Sequence, residues 1–200
     1  MKTILFTDMI NNIWKKKTVH KKSAFTLIEL LIVIAIIGIL AGLAFQGVQI
    51  AIERANTTAT KILFNQWTIA LETYKMEYGT YPRDLLNDDQ PILLNEKKKA
   101  FYYSLVGRQF DGSKLSPQDR MYYNRKGLTF YTISEGEIND AGNFVDGFGN
   151  PTIYLKLDHD NDGVIKGLPI EDSNETENIR AKVVFYTDDE DSPRVQSWKK

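Results

Sequence analysis

The chain contains no cysteine and only two histidines, His20 and His159, among its 200 residues. The first absence excludes disulfides, thiolate nucleophiles and sulfur-rich zinc sites. The second leaves too few imidazoles for catalytic zinc, and the scattered serines have no histidine arranged to complete a triad. Neither a phosphate-binding P-loop nor a dinucleotide-binding glycine pattern occurs, and there is no internal repeat or low-complexity tract. An enzyme is therefore not expected. Any part that folds outside a membrane must be held by a core, by neighbours or by a metal.

What is present is unevenly distributed. Apolar residues make up 42% of the chain and charged residues 26%, enough to fold one domain with an appendage. Residues 1–24 carry six lysines against one acid, Asp8, a net of +5. The remainder carries 19 basic and 25 acidic side chains, a net of −6. A basic leader and an acidic body suggest that the two parts end in different places, and the body is not expected to bind nucleic acid.

From Phe25 to Phe45 the chain reads FTLIELLIVIAIIGILAGLAF, 21 residues with a single charge, Glu29. At about 1.5 Å per helical residue this spans roughly 30 Å, the thickness of a bilayer core. Lysines precede it and none follows closely, so the positive-inside rule places residues 1–24 in the cytoplasm and the body outside. Ile52, Ala55, Ala59, Ile62, Gln66, Ile69 and Thr73 then recur at three- and four-residue steps. Val48 precedes them, and Leu63, Ala70 and Tyr74 widen the stripe. This spacing predicts an amphipathic helix packed by that face on a globular head, with Gly79 and Tyr81-Pro82 as its stop. One helix is expected from about Phe25 to about Tyr78. The organisation read from the sequence is a leader at 1–24, a membrane half of the helix at 25–45, an amphipathic half at 46–80 and a head at 81–200.

The head reads as a short helix around Asn95–Leu105 followed by strands at Leu128–Ser134, Thr152–Leu157 and Ala181–Tyr186, each bounded by Gly, Asn, Asp or Pro. The expected fold class is α+β: a long N-terminal α-helix, transmembrane in its first half, packed on a small antiparallel β-sheet head.

Lys21-Lys22-Ser23-Ala24-Phe25-Thr26-Leu27-Ile28-Glu29-Leu30 resembles the prepilin signal of type IV pilins and type II secretion pseudopilins. In that signal a basic leader ends in a small residue before F-T-L-I-E-L and an apolar run. The resemblance implies cleavage between Ala24 and Phe25 by a prepilin peptidase on the cytoplasmic side, and N-methylation of Phe25. Alanine stands where glycine is usual. A secretory signal cut near Gly42-Leu43-Ala44 would need a shorter apolar run, and neither it nor a plain anchor has a use for Glu29. Cleavage would place a cationic amine on Phe25 near the Glu29 carboxylate. Paired between neighbouring subunits, the two charges neutralise each other and set axial register.

Three further segments carry the resemblance toward the major pseudopilins. Tyr78-Gly79-Thr80-Tyr81-Pro82 is similar to their helix exit, which is also simply a helix end and turn. Asp146-Gly147-Phe148-Gly149-Asn150-Pro151, followed by Ile153-Tyr154, resembles their D-x-W-G-N-P-x-x-Y segment with phenylalanine for tryptophan. It is expected to plug a large ring into the head and start a strand. Val184-Phe185-Tyr186-Thr187, an acidic loop and Ser197-Trp198 resemble the same family's ending, whereas type IV pilins commonly close that region with a disulfide.

Asp158-His159-Asp160-Asn161-Asp162-Gly163-Val164-Ile165 places carboxylates at alternating positions before a glycine, the first half of an EF-hand-type calcium loop. Pro169 stands where the final bidentate glutamate belongs, with Glu171 or Asp172 as substitutes. A solvated acidic turn is the other reading. The family resemblance implies calcium held in the loop before the last tryptophan, here Asp188-Asp189-Glu190-Asp191. The ligand set therefore stays open among Asp158, Asp160 and Asp162 on one side and Asp188 and Asp191 on the other.

The function implied is a structural subunit of a type II secretion pseudopilus or related filament. It would be stored in the bacterial inner membrane with its head periplasmic, and assembled with itself and other pilins by an inner-membrane platform. The rival readings are a minor pilin that binds ligands for adhesion or DNA uptake, and a membrane-tethered calcium-dependent enzyme or sensor.

Overall fold

The computed structural model describes residues 26–86, 90–170, 175–189 and 192–199. The chain divides into two compact units, residues 1–47 and 48–200, and helix α1 (Leu27–Tyr78) contributes to both. No proline precedes Pro82, so nothing interrupts the backbone hydrogen bonds of the 52-residue helix. Its end is where the sequence places it. Gly79 takes a φ of 80° and donates its N–H to the Lys75 carbonyl, a left-handed cap that a side chain would strain.

Within the first unit the described side chains are exposed on every side of α1. An 18-residue stretch has a mean hydropathy of 2.8 and none of it is buried. By length and composition this helix is long and apolar enough to cross a membrane.

The second unit is an α+β head. After α1 come a 3₁₀ turn (Arg83–Leu85), β1 (Ile92–Leu93), a second 3₁₀ turn (Leu94–Lys97), α2 (Lys98–Val106) and α3 (Pro117–Tyr123). Strands β2 (Ile153–Leu157), β3 (Ile165–Pro169), β4 (Thr176–Ile179) and β5 (Val183–Thr187) follow. An antiparallel sheet in the order β1-β2-β5 pairs Leu155 with Phe185 and Leu157 with Val183, and a β3–β4 ribbon lies beside it. One sheet face, with Ile153, Leu155 and Phe185, joins α1 and α2 in the main core. The other, with Val184 and Tyr186, packs on Ile165 and Leu168 of the ribbon. Trp67 is the hub of the main core: the rings of Phe101, Phe144 and Phe185 meet it edge-on at 5.3, 5.6 and 5.4 Å.

The expected helix around 95–105 and the strands near 152–157 and 181–186 are present, with ends shifted by one to three residues. Three expectations are corrected. First, Leu128–Ser134 is not a strand. The Leu128 N–H is taken by Asn124 Oδ1, and those of Phe130 and Tyr131 by the Leu105 carbonyl, which leaves no ladder to form. Second, the helix face that packs on the head is Thr60, Phe64, Trp67, Ala70, Leu71 and Tyr74. Of the expected stripe, Ala70 and Tyr74 belong to this face and Leu63 packs at its edge, whereas Ile52, Ala55, Ala59, Ile62 and Ile69 are exposed, Ile62 to 54% and Ile69 to 56%; Gln66 is exposed too and accepts from the Tyr131 hydroxyl. Third, the large ring plugged into the core beside the glycine-rich turn is Phe144; Phe148 is only half-buried. The turn itself touches α1. Gly147 donates to Thr60 Oγ1, and a Cβ there would fall 2.5 Å from the Asn56 carbonyl oxygen.

Candidate functional site

Glu29 stands at the start of α1, three residues after Thr26. The Thr26 amide and hydroxyl both donate to Glu29 Oε2, at 2.8 and 2.7 Å, and the Glu29 amide donates back to Thr26 Oγ1 at 3.3 Å. This is a capping box, which satisfies helix-end donors that a bilayer would leave without water. The acid in the apolar run is thus already partnered inside its own first turn. Thr26 is a residue that the reading of the sequence did not single out, although T-x-x-E at 26–29 announces it. Ala24 and Phe25 lie outside the described residues.

The acidic loop between β2 and β3 gathers Asp158, Asp160 and Asp162, with one carboxylate oxygen of each within 4.8 Å of the others. The chain turns there because Asn161 (φ 58°) and Gly163 (φ 79°) adopt left-handed backbone, which aspartate-rich EF-type loops also require. Each carboxylate has a local backbone partner: Asp158 Oδ2 accepts from Gly163, Asp160 Oδ1 from Asp162, and Asp162 Oδ1 from Val164. The Asp162 amide holds the Asp160 carboxyl below the ordinary aspartate range, with Lys166 adding to the effect. Asp158 is only 5% exposed, and its Oδ1 has no hydrogen-bond partner among the described residues. A buried anionic oxygen without a donor is costly unless a cation meets it.

Lys166 sits across the outer two carboxylates, at 3.4 Å from Asp160 and 2.7 Å from Asp162. Lys75 of α1 reaches Asn161 Oδ1. Neither lysine was expected at the loop: nothing in the local spacing points from 75 to 161, whereas Lys166 follows Asp162 by four residues. Asp188 is not part of this cluster. It is paired with the Arg194 guanidinium, whose Nε lies 3.1 Å from Asp188 Oδ1. Asp191 lies outside the described residues.

A long N-terminal helix with an exposed apolar segment, ending on a small antiparallel head, is an α+β pilin-like fold, and the apolar segment fits a single-pass membrane anchor. The prokaryotic N-terminal methylation motif matches residues 19–45. Over 63 residues the chain is 40% identical to the type IV major pilin protein PilE of Neisseria gonorrhoeae, a stretch covering 32% of this chain and 38% of that one. The chain thus matches well under half the length of this relative. No solved structure matches. In its N-terminal part the chain is similar to type IV pilins.

Proposed function

We propose that the chain is a structural subunit of a type II secretion pseudopilus or a related pilus-like filament. It is stored in the inner membrane with residues 1–24 cytoplasmic and the head periplasmic, and a prepilin peptidase releases it for assembly at Phe25. Its partners are further copies, other pilins and an inner-membrane assembly platform. The observation that carries this reading is the exposed apolar stripe of α1 from Val48 to Ile69, which the head leaves uncovered. Apolar surface of that extent invites neighbouring helices, and its Ile and Ala side chains suit close helix–helix packing. The secretion branch is favoured by a head closed at its C-terminus without cysteine. There Ser197 bonds to Phe185, and the Trp198 indole donates to Glu177.

In this reading Glu29 exchanges its intramolecular partner Thr26 for the Phe25 amine of a neighbour as subunits stack. The test is a Glu29→Leu variant followed through insertion, cleavage and assembly. Normal insertion and cleavage with no filament are expected; filaments formed at the ordinary level would refute the register role.

We further infer that calcium occupies the 158–163 loop. Asp158, Asp160 and Asp162 would hold it, with the Asp158 Oδ1 that lacks a donor as the anchoring ligand. The ion would supply no chemistry to a reaction; it would staple a loop in a head without disulfides. Lys166 is the internal competitor for the same carboxylates.

A further inference from the structure

We propose that a groove beside α1 on the head receives the guanidinium of Arg54 from a second copy of the chain. This inference rests on the filament reading and names one of its contacts. The groove has a volume of about 330 Å³ and lies wholly within residues 59–147 of the second unit. Ala59, Ile62 and Leu63 of α1 form one wall, so the groove is continuous with the exposed apolar stripe of that helix. The other wall carries two buried carboxylates, Glu137 and Asp146, and no lysine or arginine lines the groove. Glu137 accepts from neutral groups: the Tyr131 hydroxyl, the Ser134 amide and the Trp67 indole. Asp146 is 4% exposed. Its Oδ1 accepts from the Phe148 and Asn150 amides, and its Oδ2 has no partner among the described residues. Burial, with the Asp189 carboxylate adding to it, holds the Asp146 carboxyl above the ordinary aspartate range against the pull of its backbone donors. A buried acid with an unmet oxygen gains most from a cation. Apolar walls that carry such acids fit a charged group on a long apolar stem.

A neighbour that covers the α1 stripe with its own helix brings that helix to the groove. From Val48 to Tyr78, α1 carries three basic and three acidic side chains, so it does not share the net charge of −6 that makes the body as a whole repel an acidic groove. Arg54 is exposed, and its side chain has no acid partner among the described residues. Glu53 precedes it but lies about 100° round the helix, and no acid stands three or four residues to either side. Arg54 is preferred to the half-buried Lys61 because a planar guanidinium matches carboxylates with two donors. The bases of α2 and its surroundings are engaged within the head: Lys99 with Asp119, Lys126 with Glu77 and Lys98 with the Gly142 carbonyl. At 3.6 residues per turn, Ala59 lies roughly 140° round the helix from Arg54. Base and groove are therefore on different sides of one subunit. A contact of that kind is heterologous: it repeats along an open filament instead of closing a dimer.

The absence of cysteine makes the contact testable by cross-linking. Copies with Thr58→Cys, exposed and one turn from Arg54, are co-expressed with copies carrying Glu135→Cys, exposed beside Gly136 of the groove. Cells are treated with a short bifunctional maleimide, and filaments from the same cells are counted by electron microscopy. A linked dimer of the two variants is expected. Adding Arg54→Gln to the Thr58→Cys copies should lower its yield at least about tenfold, and Arg54→Lys should restore part of it. Thermal unfolding of the Arg54→Gln chain in detergent should be unchanged, since the side chain is exposed. Filaments without the linked dimer, or a yield that Arg54→Gln leaves unchanged, would overturn this inference alone. Neither filaments nor linked dimer would overturn the filament reading with it.

Discussion

Helix α1 carries two apolar faces in its second half, and the head uses only one. The buried face is built from bulky and aromatic residues, Phe64, Trp67, Leu71 and Tyr74: Trp67 packs among Phe101, Phe144 and Phe185, Phe64 stacks on Phe185, and Tyr74 meets Phe130 edge-on. The exposed face is built from alanines and β-branched residues, Ala55, Ala59, Ile52, Ile62 and Ile69. Both faces have helical spacing, so periodicity alone cannot say which one the head takes. Side-chain size can: large rings need a shaped cavity, whereas small and β-branched side chains present a low surface that another helix can approach. One face makes the subunit fold; the other is free for a neighbour.

This contrast can be broken by mutating each face. Trp67→Ala should cost about 3–5 kcal/mol in denaturant unfolding of the detergent-solubilised chain, because it empties the hub of the core. Ile62→Asp or Ile69→Asp should change that stability by less than about 0.5 kcal/mol yet abolish filament assembly in cells. A large loss of stability in the aspartate variants would show that the stripe belongs to the head after all. Gly147→Ala should come next, at about 1–3 kcal/mol, since its Cβ would meet the α1 backbone at Asn56.

Smaller effects concern the head alone. Millimolar calcium should raise the melting temperature by a few degrees, and Asp158→Asn should remove most of that rise. Lys166→Ala should tighten calcium roughly twofold to fivefold by deleting the competing ammonium. No calcium-dependent shift in the unmodified chain would rule out a useful site. The smallest effect is at Asp146, whose carboxyl burial holds above the ordinary range against the pull of its backbone donors. The folded chain therefore keeps a proton that the unfolded chain has lost. Stability should fall as pH rises from the ordinary aspartate value through the raised one. Asp146→Asn should flatten that acid-range slope, because an amide oxygen can still accept from Phe148 and Asn150.

Elements governed by local chemistry were legible in the sequence. Gly79 and Tyr81-Pro82 mark the end of α1, and the alternation of aspartates before Gly163 marks the acidic loop. Elements decided by distant partners were not. Leu128–Ser134 has strand composition, but Asn124 and the end of α2 take its amides. The β3–β4 ribbon was missed because its short strands, with Gly167 in one and Glu177 and Asn178 in the other, lack a β-rich run. Helix α3 was also missed, despite a Ser116 cap and Pro117 at its first position.

The central claim is that α1 is the assembly helix of a processed filament subunit. Intact mass spectrometry of the protein extracted from its native membrane tests it most directly. A chain beginning at N-methylated Phe25 is the expected result. A chain that keeps residues 1–24, or one cut after Ala44 with the apolar segment removed, would contradict it.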